Sequence, residues 1–164
     1  MKSAKELLAK NHIPPHWPSL LHLAIEEVFE IMLGSKLAGY AGPAPTHDLT
    51  AMVGLAGDLC GVLTVRCAQQ SASRITARML GGAFAENEQD VSQHVWDALG
   101  EMSNMIAGNF KNKLDGIADR CLLSVPTIIS GQDYKLRPLA NSETLEVILA
   151  FEGQPIIVTL DVHA

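Results

Sequence analysis

The stretch Val95-Trp96-Asp97-Ala98-Leu99-Gly100-Glu101-Met102-Ser103-Asn104-Met105-Ile106-Ala107-Gly108-Asn109-Phe110 decides how this chain folds. On a helical net Val95, Leu99, Met102, Ile106 and Phe110 fall on one stripe. Asp97, Glu101 and Asn104, spaced i, i+4 and i+7, point together on the other side. The periodicity predicts a long amphipathic helix over about residues 88–115, whose apolar stripe has to be covered by another layer.

The flanking sequence supplies that layer. Upstream, Ser71 or Ser73 can cap a short helix through Ile75, Met79 and Leu80 that ends at Gly81-Gly82, and the acidic segment Glu86–Asp90 complements the amino end of the long helix. Two strand-like runs, Thr50–Ala56 and Leu59–Cys67, flank Gly57-Asp58 and read as an antiparallel hairpin. Before them, Leu21, Ile25, Val28, Phe29 and Met32 recur at helical spacing over 18–33 with Gly34 as a stop. Tyr40 to His47 is a Gly, Pro and Ala-rich connection, and a short helix through Leu7 and Leu8 would end at Asn11 and Pro14-Pro15.

Downstream, Leu122–Ser130 is extended in character, although Pro126 argues against full strand pairing along it. Tyr134–Arg137 reads as a short strand. Leu145–Phe151 and Ile156–Val162 form a second hairpin across Glu152-Gly153-Gln154. The expected fold is α+β, an antiparallel sheet covered by long helices, with two pseudo-symmetric helix-plus-hairpin halves. Residues 1–17 read as an N-terminal extension and 18–164 as a single domain.

Composition narrows the function. A net charge of -6, with 18 acidic against 12 basic residues, supplies no patch for a nucleic-acid backbone. Cys60, Cys67 and Cys121 have no paired-ligand spacing and are expected to be reduced and buried, with Cys60 and Cys67 pointing to opposite faces of one strand. The six histidines form no ligand-spaced cluster, and Gly54, Gly57 and Gly61 lack the Lys-Ser/Thr pair of a phosphate-cradling loop, so neither a bound metal nor ATP hydrolysis is expected. The start MKSAKELLAKNHIPPHW has no secretory pattern and no stretch is long enough to span a bilayer, from which a cytoplasmic protein is expected.

The ridge therefore carries the functional reading. Acids on an exposed helix face usually serve solvation, but Asn104 is a poor interior helix former with no charge to pair. Gly100 and Gly108 lie near the same side, and Lys111 extends it. A mid-helix glycine costs about 1 kcal/mol relative to alanine, a sacrifice that close approach by another protein would explain. Neither Asp97 nor Glu101 has an apolar wall in sequence to make it a general acid, whereas an asparagine amide can hold a water through its oxygen while donating through its nitrogen. Trp96 and Met105 flank the stripe and read as core packing or a helix boundary.

The run from Asp97 to Asn109 resembles the signature helix of the CheC, CheX and FliY chemotaxis phosphatases: an Asp or Ser, three residues, Glu, two residues, Asn, met at Asp97, Glu101 and Asn104. Glu27-Val28-Phe29 and the segment Ser124–Gly131 extend the resemblance over about residues 18–162. The first helix has Glu27 but no asparagine three residues on, which resembles CheX more than CheC and implies one active face. The resemblance implies hydrolysis of the phosphoaspartate of a phosphorylated CheY-like receiver. Glu101 would dock to the receiver lysine, Asn104 would orient the attacking water, Asp97 would support them, and Gly100, Gly108 and Lys111 would face the partner. Mg²⁺ would sit in the receiver's site, not on this chain, and a homodimer is implied. The alternatives are a noncatalytic receiver-binding or flagellar-switch component, or a structural dimeric adaptor.

Overall fold

A computed structural model describes residues 6, 12–82, 88–138 and 141–163, with only the backbone of 88–91 described. The elements are α1 (Trp17–Leu33), β1 (Ala38–Gly39), β2 (Leu49–Gly57), β3 (Gly61–Cys67), α2 (Gln69–Met79), α3 (Glu88–Asn112), β4 (Cys121–Leu123), β5 (Thr127–Ser130), β6 (Ser142–Phe151) and β7 (Gln154–His163). The strands form one antiparallel sheet in the order β1-β6-β7-β3-β2-β4, with β5 also pairing β2.

One face of the sheet carries Leu49, Ala51, Val53, Leu63, Val65, Val158 and Leu160, all buried, and receives the helices. The predicted stripe is the seam: Val95, Leu99, Met102, Ile106 and Phe110 of α3 are at most 1% exposed. Each such side chain contributes about 1.5–3 kcal/mol by leaving water. Phe110 meets Trp17 of α1 edge to face at 5.6 Å, and Phe29 packs on Phe151 of β6 at the same separation. Trp17, assigned from sequence to the N-terminal extension, thus begins α1 and belongs to the core. The short helix expected through Leu7 and Leu8, like Glu86 and Asn87, lies outside the described residues.

Both hairpins form, and their turns need their glycines. Gly57 has φ 119°, and a Cβ there would fall 1.9 Å from the Arg120 carbonyl oxygen, because β4 crosses beside it. Glu152 and Gly153, both at positive φ, make the two-residue turn between Phe151 and Gln154. Glu152 then receives Arg78 of α2 at 2.6 Å, tying the hairpin to that helix.

Several expectations need correction. Tyr134–Arg137 is not a strand: the Tyr134 hydroxyl bonds to Thr50 and its ring meets His47, so side-chain contacts hold this segment. α2 is not capped by Ser71 or Ser73. It begins two residues earlier, and Asp48 Oδ1, from before β2, accepts the Gln69 N–H at 2.5 Å. Cys60 is exposed, not buried, because it lies in the turn before β3. β1 has no counterpart in the sequence reading, since Ala38-Gly39 carries no strand pattern and is held only by pairing with Leu149 and Ala150. α3 ends at Asn112, and Lys113 and Leu114 continue in tighter turns onto the Phe110 and Lys111 carbonyls.

Candidate functional site

The ridge lies mid-way along α3, beside the connector between β4 and β5. Pro126 splits the predicted 122–130 run into β4 and β5, and the split is bridged by a side chain. Ser124 N–H donates to the Gly54 carbonyl at 2.9 Å, while Ser124 Oγ accepts the Gly54 N–H at 2.8 Å. Both bonds stand where β2 has finished pairing with one strand and not yet begun with the other. Val125 and Pro126 consequently bulge outward beside α3.

Between this bulge and the helix runs an open groove of about 460 Å³. Trp96, Asp97 and Glu101 form one wall, Val125, Pro126 and Ile128 the other, and Gly100 lies between. Asp97 is held by the amide of Gln93, which donates to Oδ1 at 2.8 Å. Neither Glu101, which is exposed, nor Asn104, which is half-buried one turn further, has a hydrogen-bond or ion-pair partner among the described residues. An unpaired carboxylate can accept from a cation or hydroxyl. An unpaired amide beside it can both accept and donate, which suits a held water.

The glycines act differently from expectation. Gly100 is buried against its own chain: a Cβ there would be 3.5 Å from Pro126 Cβ and 3.8 Å from Ile128 Cδ1. The close approach it permits is intramolecular, between α3 and the connector. Gly108 likewise faces Leu123 of β4, and half-buried Lys111 lies beyond it; neither lines the groove. Sequence reasoning assigns Trp96 to packing and gives Val125 no role, yet they are 37% and 85% exposed at the rim. The available signal is an apolar residue before a strand-breaking proline.

The matching surface of α1 is differently wired. Glu27 Oε2 accepts Lys113 Nζ at 2.6 Å and Asn109 Nδ2 at 2.8 Å, and these bonds, the lysine's first, hold its carboxyl below the usual range. Glu30 stands where an asparagine would complete a second copy of the motif.

A separate cavity of about 480 Å³ is bordered by Thr46, His47, Asp48, Gln132, Asp133 and Tyr134, of which Asp48 and Tyr134 are already engaged. Asp48 caps α2, Tyr134 bonds Thr50, and burial lowers the His47 pKa, with Arg66 adding to the effect. The α3 groove is the better candidate because it is lined by the ridge carboxylate Glu101, and Asn104 lies one turn further along the same helix, both without a partner among the described residues. Among the described residues no group of three or more His, Cys, Asp or Glu could hold a metal ion. None of their helices is long and apolar enough to cross a membrane.

The family model "Chemotaxis phosphatase CheX" matches residues 49–150, a span that includes β2, α3 and the connector. The chain belongs to the CheX family. The CheY-P phosphatase CheX of Thermotoga maritima is 30% identical over 91 residues, 56% of this chain and 57% of that relative, so the match spans little more than half the relative's length. The fold is that of CheX in the CheX-CheY-BeF3-Mg²⁺ complex from Borrelia burgdorferi, with TM-score 0.75 and 22% identity over 90% of this chain and 98% of that one. CheX from Desulfovibrio desulfuricans gives TM-score 0.74 and 22% identity over 90% and 99%.

Proposed function

We propose that this chain hydrolyses the phosphoaspartate of a phosphorylated CheY-like receiver domain. The observation that carries the reading is that Glu101 and Asn104, matching the CheX-family motif, stand unpaired on α3 beside an open groove. Glu101 docks to the receiver's lysine. Asn104 holds the attacking water in line with the phosphorus, its carbonyl oxygen accepting a hydrogen bond from the water while its NH₂ donates to a phosphoryl oxygen. The water oxygen bonds phosphorus as the P–O bond to the aspartate breaks, the aspartate leaves as a carboxylate, and the water's proton goes to the released phosphate. An acyl phosphate is activated already, so placement contributes more than a strong base. Asp97, oriented by Gln93, supports the docking face. Mg²⁺ belongs to the receiver's site.

The same reading covers the organisation of the chain. The sheet order β1-β6-β7-β3-β2-β5 reads the same in both directions when α1-β1-β2-β3 is matched to α3-β5-β6-β7, which supports two pseudo-symmetric halves within one domain, each lending its first strand to the other's hairpin. Only the second half keeps the complete motif. A homodimer would form through β6, whose outer edge is covered by β1 only at Leu149 and Ala150. The protein works in the cytoplasm, where receiver domains are phosphorylated.

The test is turnover. With a phosphorylated chemotaxis receiver and Mg²⁺, the wild type should accelerate phosphate release, and Glu101→Ala and Asn104→Ala should abolish most of the acceleration. Undiminished release by both variants would sink the assignment.

A further inference from the structure

We infer that the Val125-Pro126 bulge and Trp96 form an apolar docking collar. Its occupant is the face of the receiver domain that presents a lysine beside an exposed aliphatic or aromatic side chain. The inference rests on the phosphatase reading above and adds residues outside its motif.

Glu101 sets the requirement. An exposed carboxylate meeting a lysine in open water contributes little, because both ends are well solvated and the side chains lose freedom. The pair becomes effective when surrounding groups exclude water and lower the local dielectric. Trp96 shares the helical wall of the groove with Glu101 and Val125 stands on the opposite wall, at 37% and 85% exposure. A valine that exposed contributes nothing to this chain's own core.

The bulge is also built to hold its shape. Ser124 locks it to Gly54 through two hydrogen bonds, and the Ser124 hydroxyl donates to the Val125 carbonyl at 3.0 Å. Pro126 has a fixed φ and rests on Gly100. A preformed projection gives up less freedom on binding than a floppy loop. Charge selects the occupant: Asp97 and Glu101 share the groove with no lysine or arginine lining it, so a cationic group with apolar neighbours complements it.

The experiment measures binding separately from turnover. The probe is a chemotaxis receiver loaded with BeF3 and Mg²⁺, titrated calorimetrically into wild type, Val125→Ser, Val125→Ile, Trp96→Ala and Asn104→Ala. Val125→Ser and Trp96→Ala should each weaken binding on the order of tenfold, since a side chain's worth of apolar contact is lost. Val125→Ile should bind like wild type, and Asn104→Ala should bind while losing turnover. Equal thermal midpoints for wild type and Val125→Ser show that the loss is not unfolding. Wild-type affinity in both Val125→Ser and Trp96→Ala, with wild-type turnover intact, overturns the collar and leaves the phosphatase reading standing. Absence of both binding and turnover in the wild type removes both.

Discussion

Lys113 Nζ lies 2.6 Å from Glu27 Oε2, an oxygen that also accepts the Asn109 amide, so α3 and the turn that follows it occupy the glutamate of α1. Glu101, its counterpart on α3, has no such partner among the described residues. The same residue type is thus structural in one helix and available in the other. The contacts of Lys113 and Asn109 depress the folded pKa of Glu27 below its ordinary 4.5. A carboxylate depressed on folding stabilises above its unfolded pKa, and that contribution is lost as pH falls through the folded value. Lys113→Met should therefore have a lower urea midpoint than wild type at pH 7, with the difference shrinking below pH 4.5. A difference that stays constant from about pH 7 to about pH 3 would remove the ion pair as its cause.

Gly100 separates packing from helix propensity. Its added Cβ would make ordinary contact with Pro126 at 3.5 Å, so Gly100→Ala should fit and raise stability by up to about 1 kcal/mol, read as a higher Tm. Gly100→Leu has no such room. It should overpack against Pro126 and Ile128, cost about 1–3 kcal/mol, and lower kcat/KM by displacing the connector. A Leu variant with unchanged kcat/KM would mean that the connector's position does not matter to the site.

The parts of the fold legible in sequence are those set by periodicity. The α3 stripe, the α1 stripe and both hairpins carry their burial pattern locally, and Asp97, Glu101 and Asn104 share a face by spacing alone. What is not legible depends on partners far along the chain. The cap of α2 is Asp48, β1 exists only through β6, and Tyr134 is fixed by Thr50 and His47. The site is half legible for the same reason: its helical wall is periodic, whereas its other wall, Val125 and Pro126, is placed by Ser124 reaching Gly54. Gly100 stands out in the sequence, but what it accommodates is visible only once the connector lies on it.

The cysteines should report burial directly. Burial pushes the Cys67 thiol up to about 12 and also raises that of Cys121, while Cys60 is exposed. A thiolate is the reacting form, so only Cys60 should react rapidly with a disulfide reagent in the native protein, and all three cysteines should react in denaturant. Two or more fast native thiols at about pH 8 would contradict the packing around Cys67 or Cys121.

Asn104→Asp gives the sharpest test of what the amide does. The side chains are nearly the same size, and Asn104 is half-buried with no internal hydrogen bond among the described residues, so the fold has little reason to notice the change. Chemically the change is large. The NH₂ donor is replaced by a carboxylate oxygen, which would face a phosphoryl group that is itself anionic. If Asn104 only had to accept a hydrogen bond from water, aspartate would substitute well and kcat would be nearly kept. If it must accept from water and also donate, as proposed, Asn104→Asp should lose on the order of 100-fold in kcat, the scale found when one preorganised polar group is removed, and should be no better than Asn104→Ala. Single-turnover phosphate release at saturating enzyme separates this from weakened docking. A variant with near wild-type turnover there would reduce the amide's role to acceptance alone.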